Sequence, residues 1–113
     1  MQDLFAKADE VYDLLAGELE ATRRAGCQLA ENEAQYRQAL RLAILEERER
    51  GTPVTVIGDI CRGDPDIADL KRARDCSEAL YKAGQEAINV HKLRLRMLNE
   101  QINRVWHSGS ANT

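Results

Sequence analysis

The sequence predicts an all-α protein, a long antiparallel hairpin of two coiled-coil-like helices joined by a short structured turn. Both prolines, Pro53 and Pro65, lie in the middle of the 113-residue chain, and the long segments on either side contain none. The composition pairs 31% charged residues with only 4% aromatic residues, which is typical of long helices. Apolar residues in both flanking segments recur at alternating spacings of three and four, which is the helical period.

A single domain covers residues 1–107 in this prediction, because the chain has the length of one small domain. The first helix covers 2–50, the turn covers 51–64 and the second helix covers 65–106. The small polar residues of 108–113 predict a flexible tail.

The first helix carries an apolar stripe in which a glutamate, Glu33, fills the one gap. Small residues around Thr22 and Gly26 predict that a neighbouring helix approaches closely there. Gly51 suits the left-handed position just past a helix end, and Pro53 then stops the helix. The stripe consists of Phe5, Ala8, Tyr12, Leu15, Leu19, Thr22, Gly26, Leu29, Tyr36, Leu40 and Ala43.

The turn allows two interpretations, since Val54 begins a run of four β-branched residues. The run could form a short edge strand after Pro53. Alternatively, Thr55 caps a short helix that ends at Gly63. The apolar spacing continues at helical steps through Ile60, which favours the helix.

The second helix begins with a strong start signal. Asp64 can cap it, Pro65 suits the first helical position, and Asp66 favours the positive end of the helix dipole. Its stripe consists of Ile67, Leu70, Ala73, Ser77, Leu80, Gly84, Ala87, Ile88, His91, Leu95, Leu98, Ile102 and Val105.

The charge distribution supports an antiparallel hairpin, and the width of the apolar stripes predicts self-association. Six acidic residues against one basic residue give residues 1–20 a net charge of −5, and four basic against one acidic give 89–106 a net charge of +3. A hairpin places these oppositely charged segments side by side. Two helices cannot cover two wide apolar stripes, so we expect a dimer that forms a four-helix bundle.

The sequence shows no pattern that indicates catalysis, a metal site or a cofactor. Cys27, Cys61 and Cys76 lack the spacing of metal ligands, and His91 has no second ligand one helical turn away. The glycines form no phosphate-binding loop. No apolar run reaches the length of a membrane span, and no targeting segment precedes the first helix. We therefore expect a cytoplasmic, non-enzymatic protein with reduced cysteines and no membrane partner.

Two basic clusters on the second helix are candidates for nucleic-acid contact. Interleaved acidic residues and a net charge of −3 make a solvated helix face, with ion pairs such as that of Asp69 with Arg72, the more frequent explanation of such clusters. The clusters consist of Lys71, Arg72, Arg74, Lys92, Arg94 and Arg96.

Four segments of the sequence resemble those of a known group of proteins. They are GTPVTVI at 51–57, RGD at 62–64, LYKAGQEAIN at 80–89 and LRMLNEQINR at 95–104. The stretch 36–106 that contains them resembles a family of short helical proteins, uncharacterised in function, that are encoded by phages and prophages of Gram-positive bacteria. The resemblance implies an accessory protein that acts on a host or phage machine, and it brings no functional residues with it.

The expected function is protein–protein binding, for instance inhibition of a host defence complex in the manner of an anti-CRISPR protein. The turn is the expected contact surface, since its apolar residues exceed what a connection needs. That surface consists of Val54, Val56, Ile57, Ile60 and Arg62. The alternatives are a nucleic-acid-associated accessory of phage replication or recombination that uses the basic clusters, and a nucleotide-binding sponge.

Overall fold

The computed structural model describes residues 2–111 and contains three helices: α1 (Gln2–Glu49), α2 (Val54–Gly63) and α3 (Pro65–Ala111). No strand occurs among these residues, so the predicted all-α class is confirmed. The chain divides into two compact units. Within the described residues, unit 1 comprises 2–23 and 82–111, and unit 2 comprises Arg24–Tyr81.

The end of α1 is closed by backbone hydrogen bonds around Gly51. Its φ of 80° places Gly51 in the left-handed region, where a side chain would be strained. The Gly51 N–H donates to the carbonyl of Arg48, and the Thr52 N–H donates to the carbonyl of Glu47, both at 3.1 Å. These two bonds form the Schellman arrangement that satisfies the last carbonyls of a helix. The predicted helix end is confirmed.

The middle of the turn is the helix α2, so the helical interpretation is confirmed and the strand is excluded. Thr55 is not its cap, because α2 begins one residue earlier and Pro53 occupies the N-cap position. The Val56 N–H donates to the Pro53 carbonyl at 3.1 Å. Ile57 and Cys61, one helical turn apart, are the buried residues of α2.

The start of α3 agrees with the predicted start of the second helix, whereas its end lies beyond the predicted end. The Asp64 carboxylate accepts hydrogen bonds from the N–H groups of Asp66 (2.9 Å) and Ile67 (3.3 Å), which confirms the predicted cap. At the other end α3 continues to Ala111 and passes the predicted end at Trp106. The predicted tail therefore begins within the helix, and its last residues, 112–113, lie outside the described residues.

Unit 1 joins α1 and α3 through a small apolar core of Ala8, Val11 and Leu95, with Leu15 and Leu98 partly buried against it. The helices also approach closely at Gly84, where an added Cβ would overlap the Thr22 hydroxyl. Residue numbers rise along α1 as they fall along α3, so the two helices are antiparallel in this unit.

Unit 2 joins the same helices through polar contacts as well as apolar ones. The Asn32 amide donates to the Ser77 hydroxyl at 2.6 Å and to the Ala73 carbonyl at 3.3 Å. The Tyr81 ring lies over Gly26, where an added Cβ would stand 3.1 Å from the ring. The small residues at Thr22 and Gly26 thus mark close approaches within their own units, as predicted.

Most of the predicted stripe on each long helix is buried or partly buried, but three of its positions on each helix are exposed. Phe5, Tyr12 and Leu19 are exposed, because the preceding residue of each pair turns inward. On α3, Leu80 is exposed and the next residue packs inward, and the predicted members Ala73 and Val105 are exposed as well. Adjacent rows both carry apolar residues, so the period alone does not decide which row faces the other helix. The inward residues are Leu4, Val11 and Glu18 on α1, and Arg74 and Tyr81 on α3.

Candidate functional site

The helix α2 exposes three apolar side chains, and two of them, Val56 and Ile60, are one helical turn apart on its outer face. Val54 is 77% exposed, Val56 is 41% exposed and Ile60 is 47% exposed. Ile57, by contrast, is only 4% exposed and belongs to the core beneath the helix. The structure therefore removes Ile57 from the predicted contact surface, because a side chain that is buried within the unit cannot reach a partner.

Arg62 is also exposed on α2, on a different side of the helix from Val56 and Ile60, and it is held by its own helix. Its guanidinium donates to the Asp59 carboxylate at 3.2 Å, and about half of its side chain is exposed. The guanidinium lies over Gly58, where an added Cβ would come within 2.9 Å of it. The absence of a side chain at position 58 therefore leaves room for this arginine.

A groove of about 400 Å³ in unit 2 brings together residues from the two predicted sets. Arg62 of α2 and Lys71 and Arg72 of α3 line it, beside the exposed Cys76. Each of the three cations has a carboxylate partner: Arg62 pairs with Asp59, Lys71 with Asp75 at 3.0 Å, and Arg72 with Asp69 at 2.9 Å. The last of these is the predicted intrahelical pair. The groove is therefore basic on its walls but locally neutralised.

Arg74 turns away from solvent and pairs across the two helices. Its guanidinium donates to the Glu33 carboxylate of α1 at 3.0 Å and pairs with Asp75 at 2.9 Å. It also lies over the Tyr36 ring, 5.1 Å from the ring centroid, within the range of a cation–π contact. Arg74 is thus occupied within unit 2, and its predicted role as a nucleic-acid contact is not supported by its surroundings.

The ionisation of this cluster follows from its hydrogen bonds. Donation from Arg37 and from Arg74 lowers the pKa of the Glu33 carboxyl below its usual range. Donation from Lys71 and Arg74 likewise lowers the pKa of Asp75, against the effect of burial. The bond with Glu33 raises the pKa of Arg74 further. The arrangement therefore favours the fully charged state of all three groups.

The remaining predicted cations, Lys92, Arg94 and Arg96, lie exposed on α3 in unit 1. Arg94 lines a groove of about 340 Å³ together with Lys7 and Glu10. The six predicted nucleic-acid residues are thus divided, with three in each unit.

The described residues include a buried cysteine and two buried polar atoms on the long helices. Burial raises the pKa of the Cys61 thiol, which disfavours the thiolate needed for nucleophilic chemistry. The Nδ1 atom of His91 and the Oγ1 atom of Thr22 are buried and have no hydrogen-bond partner among residues 2–111. Among residues 2–111, no group of three or more His, Cys, Asp or Glu side chains is arranged to hold a metal ion.

Two exposed apolar rows in unit 1 were not among the predicted site residues. The first, Phe5, Tyr12 and Leu19 on α1, was assigned to the core. The second is Val90, Leu93 and Met97 on α3. The sequence held no signal for the exposure of the first row, because the neighbouring residues Leu4 and Val11 are apolar as well.

Comparison with protein-family models, with curated proteins and with solved structures finds no match to this chain. The resemblance to phage proteins therefore stays a prediction. The helices of the described residues include no segment with the length and apolar character needed to cross a membrane.

Proposed function

We propose that this chain is a non-enzymatic helical binding protein that associates with a second copy of itself and uses α2 to contact another protein. The observation that supports self-association is the imbalance of unit 1. Its buried apolar core contains Ala8, Val11 and Leu95, whereas both long helices leave large apolar side chains half exposed. Such a core is small for a folded domain, and exposed apolar rows of this kind mark interaction surfaces.

The outer face of α2 is the proposed site for the second protein. Val56 and Ile60 supply apolar contact, Val54 adds to it at the start of the helix, and Arg62 supplies a cation on a flank of the helix. The resemblance of this segment to phage proteins supports a partner in a host or phage machine, such as a host defence complex that the protein would inhibit. The proposed location is the cytoplasm, where such complexes are found.

Substitutions on α2 test the proposed partner site. The double variant Val56→Asp, Ile60→Asp should keep its helical content but lose the protein that the unmodified chain captures from a host lysate. The captured protein is identified by mass spectrometry, purified and rebound to both chains. Leu42→Asp, which is 60% exposed on α1 of the same unit, serves as the matched control and should bind normally. Equal binding by the double variant would refute the assignment to α2.

A second candidate function is recognition of a phosphate group, and the groove lined by Arg62, Lys71 and Arg72 favours it. A phosphate would have to compete with three carboxylates that already hold these cations. Binding of a DNA duplex that weakens steeply with salt would support the nucleic-acid role, and binding of ATP alone would support the nucleotide sponge. Both should be abolished in Lys71→Gln, Arg72→Gln. No binding of either ligand at low salt would exclude this candidate.

A further inference from the structure

One exposed row of unit 1 has the features of a helix–helix seam without a neighbour. Phe5, Tyr12 and Leu19 follow one another at intervals of seven residues, about 10.5 Å along the helix, so the row extends for about 21 Å. About half of each side chain is exposed. The row lies directly beside the inward row that contacts α3, which is the position from which side chains of a four-helix bundle reach the next helix.

The size and composition of this row fit the centre of a protein interface. Its three half-exposed side chains offer on the order of 350 Å² of apolar surface, and each partner in a standard interface buries roughly 800 Å². Aromatic side chains are enriched at the centre of interfaces, and charged residues form the rim. Asp9, Asp13 and Glu20 lie near the row on α1 and would supply such a rim.

Charge determines which surface can cover the row. Residues 1–20 of α1 carry a net charge of −5, and residues 89–106 of α3 carry +3. If a second copy placed its own α1 over this row, two segments that each carry a net charge of −5 would face each other. If it placed α3 there, the acidic segment would lie beside Lys92 and Arg96 of the second copy, and opposite charges would meet. Like-charge contacts oppose association, so the second arrangement is favoured.

We propose that the row of Phe5, Tyr12 and Leu19 is the interface between two copies of this chain, with α1 of each copy beside α3 of the other. This proposal rests on the self-association proposed above and adds its surface and orientation. A two-fold axis parallel to α1 generates this arrangement and closes the dimer. It also places identical residues at the same height, so Phe5 of one copy lies beside α3 of the other and diagonally across the bundle from its counterpart.

The surface is tested with two variants of equal exposure. Tyr12 is 53% exposed on the proposed row, and Leu93 is 54% exposed on the second apolar row. Tyr12→Glu should raise the dimer dissociation constant at least about 30-fold, as the loss of a central interface residue does. Leu93→Glu should leave it unchanged. The mass is measured by sedimentation over a range of concentrations, and circular dichroism confirms that both variants keep their helices.

The orientation is tested by cross-linking in a chain whose exposed Cys27 and Cys76 are replaced by serine. A bismaleimide reagent long enough to span the bundle diagonal should join Phe5→Cys chains to one another. If α1 lay antiparallel to its counterpart, Phe5→Cys would cross-link with Leu19→Cys instead, and that result would overturn the orientation. Dissociation by Leu93→Glu but not by Tyr12→Glu would overturn the surface while self-association stands. A monomer at every concentration of the unmodified chain would overturn self-association itself.

Discussion

Unit 1 and unit 2 bring the same two long helices together by different chemistry. In unit 2 the contacts include bonds of fixed geometry, from Asn32 to Ser77 and from Arg74 to Glu33. In unit 1 the contacts include a small apolar core and a glycine that lets the helices approach closely. Polar bonds specify one register, because a shift would leave buried donors and acceptors unpaired. Apolar contacts are less selective, and the large exposed side chains of unit 1 suit association with further helices.

The largest expected effect is in unit 2, at the core under α2. Ile57→Ala should lower the free energy of unfolding by about 2–5 kcal/mol, because it leaves a cavity where a buried side chain was. Urea unfolding followed by circular dichroism measures the change. Val56→Ala on the same helix is the control and should have a much smaller effect. Equal effects of the two changes would mean that α2 is not packed on the face described.

The next effect tests the close approach in unit 1. Gly84→Ala should lower the unfolding free energy by about 1–3 kcal/mol, since the new methyl group overlaps the Thr22 hydroxyl. The double variant Thr22→Ala, Gly84→Ala should recover most of this loss, because only a Cβ–Cβ contact near 3.2 Å then remains. Thermal unfolding of the four chains gives the coupling between the two sites. A stabilising effect of Gly84→Ala alone would show that the helices are farther apart.

A somewhat smaller effect is expected from the polar contact of unit 2. Asn32→Ala should cost about 1–2 kcal/mol, because it removes the two hydrogen bonds from Asn32 to α3 and leaves the buried Ser77 hydroxyl without its donor. Hydrogen exchange should rise in 24–36 and 70–81. Gln35→Ala removes only an exposed bond to Glu31 and serves as the control. No difference between the two variants would show that the Asn32 bonds do not specify unit 2.

The smallest effect is a dependence on pH. Because the pKa of Glu33 and that of Asp75 are lowered in the folded chain, their contribution to stability is complete above their ordinary values of 4.5 and 3.8. It is lost as the pH falls through the lowered values, where the folded carboxylates take up protons. Urea unfolding between about pH 6 and about pH 2.5 should show this decline.

A paired variant isolates these two carboxylates. Glu33→Gln, Asp75→Asn should flatten the acid decline, whereas Glu31→Gln, an exposed change on the same helix, should preserve it. An unchanged slope in the double variant would locate the acid sensitivity elsewhere in the chain.

The parts of the fold that sequence could predict are those that local residues determine. Gly51 and Asp64 each act on their own few neighbours, so the end of α1 and the start of α3 were identified correctly. Local residues do not determine which of two adjacent apolar rows on α1 faces α3. Phe5 and Leu4 are both apolar, and only the packing against α3 decides between them.

The residues of the candidate site also fall into those that the sequence predicted correctly and those whose position depends on packing. Val54, Val56 and Ile60 were recognised as exposed apolar residues, but Ile57 on the same short helix proved to be core. Arg74 was predicted to be a surface cation, because the sequence gives its charge but does not show whether its side chain points to solvent or to α1. Glu33, which interrupts the apolar stripe of α1, was the available signal that a cation must face it from α3.

The contact between Thr22 and Gly84 has an evolutionary consequence. The space between the helices at this level holds one small side chain beyond the backbone, and here residue 22 fills it. In homologous chains with this register, a larger residue at position 84 should occur together with glycine or alanine at position 22. The two positions should therefore covary, and their pairing in a set of homologues would reveal the antiparallel alignment of the two helices from sequence alone.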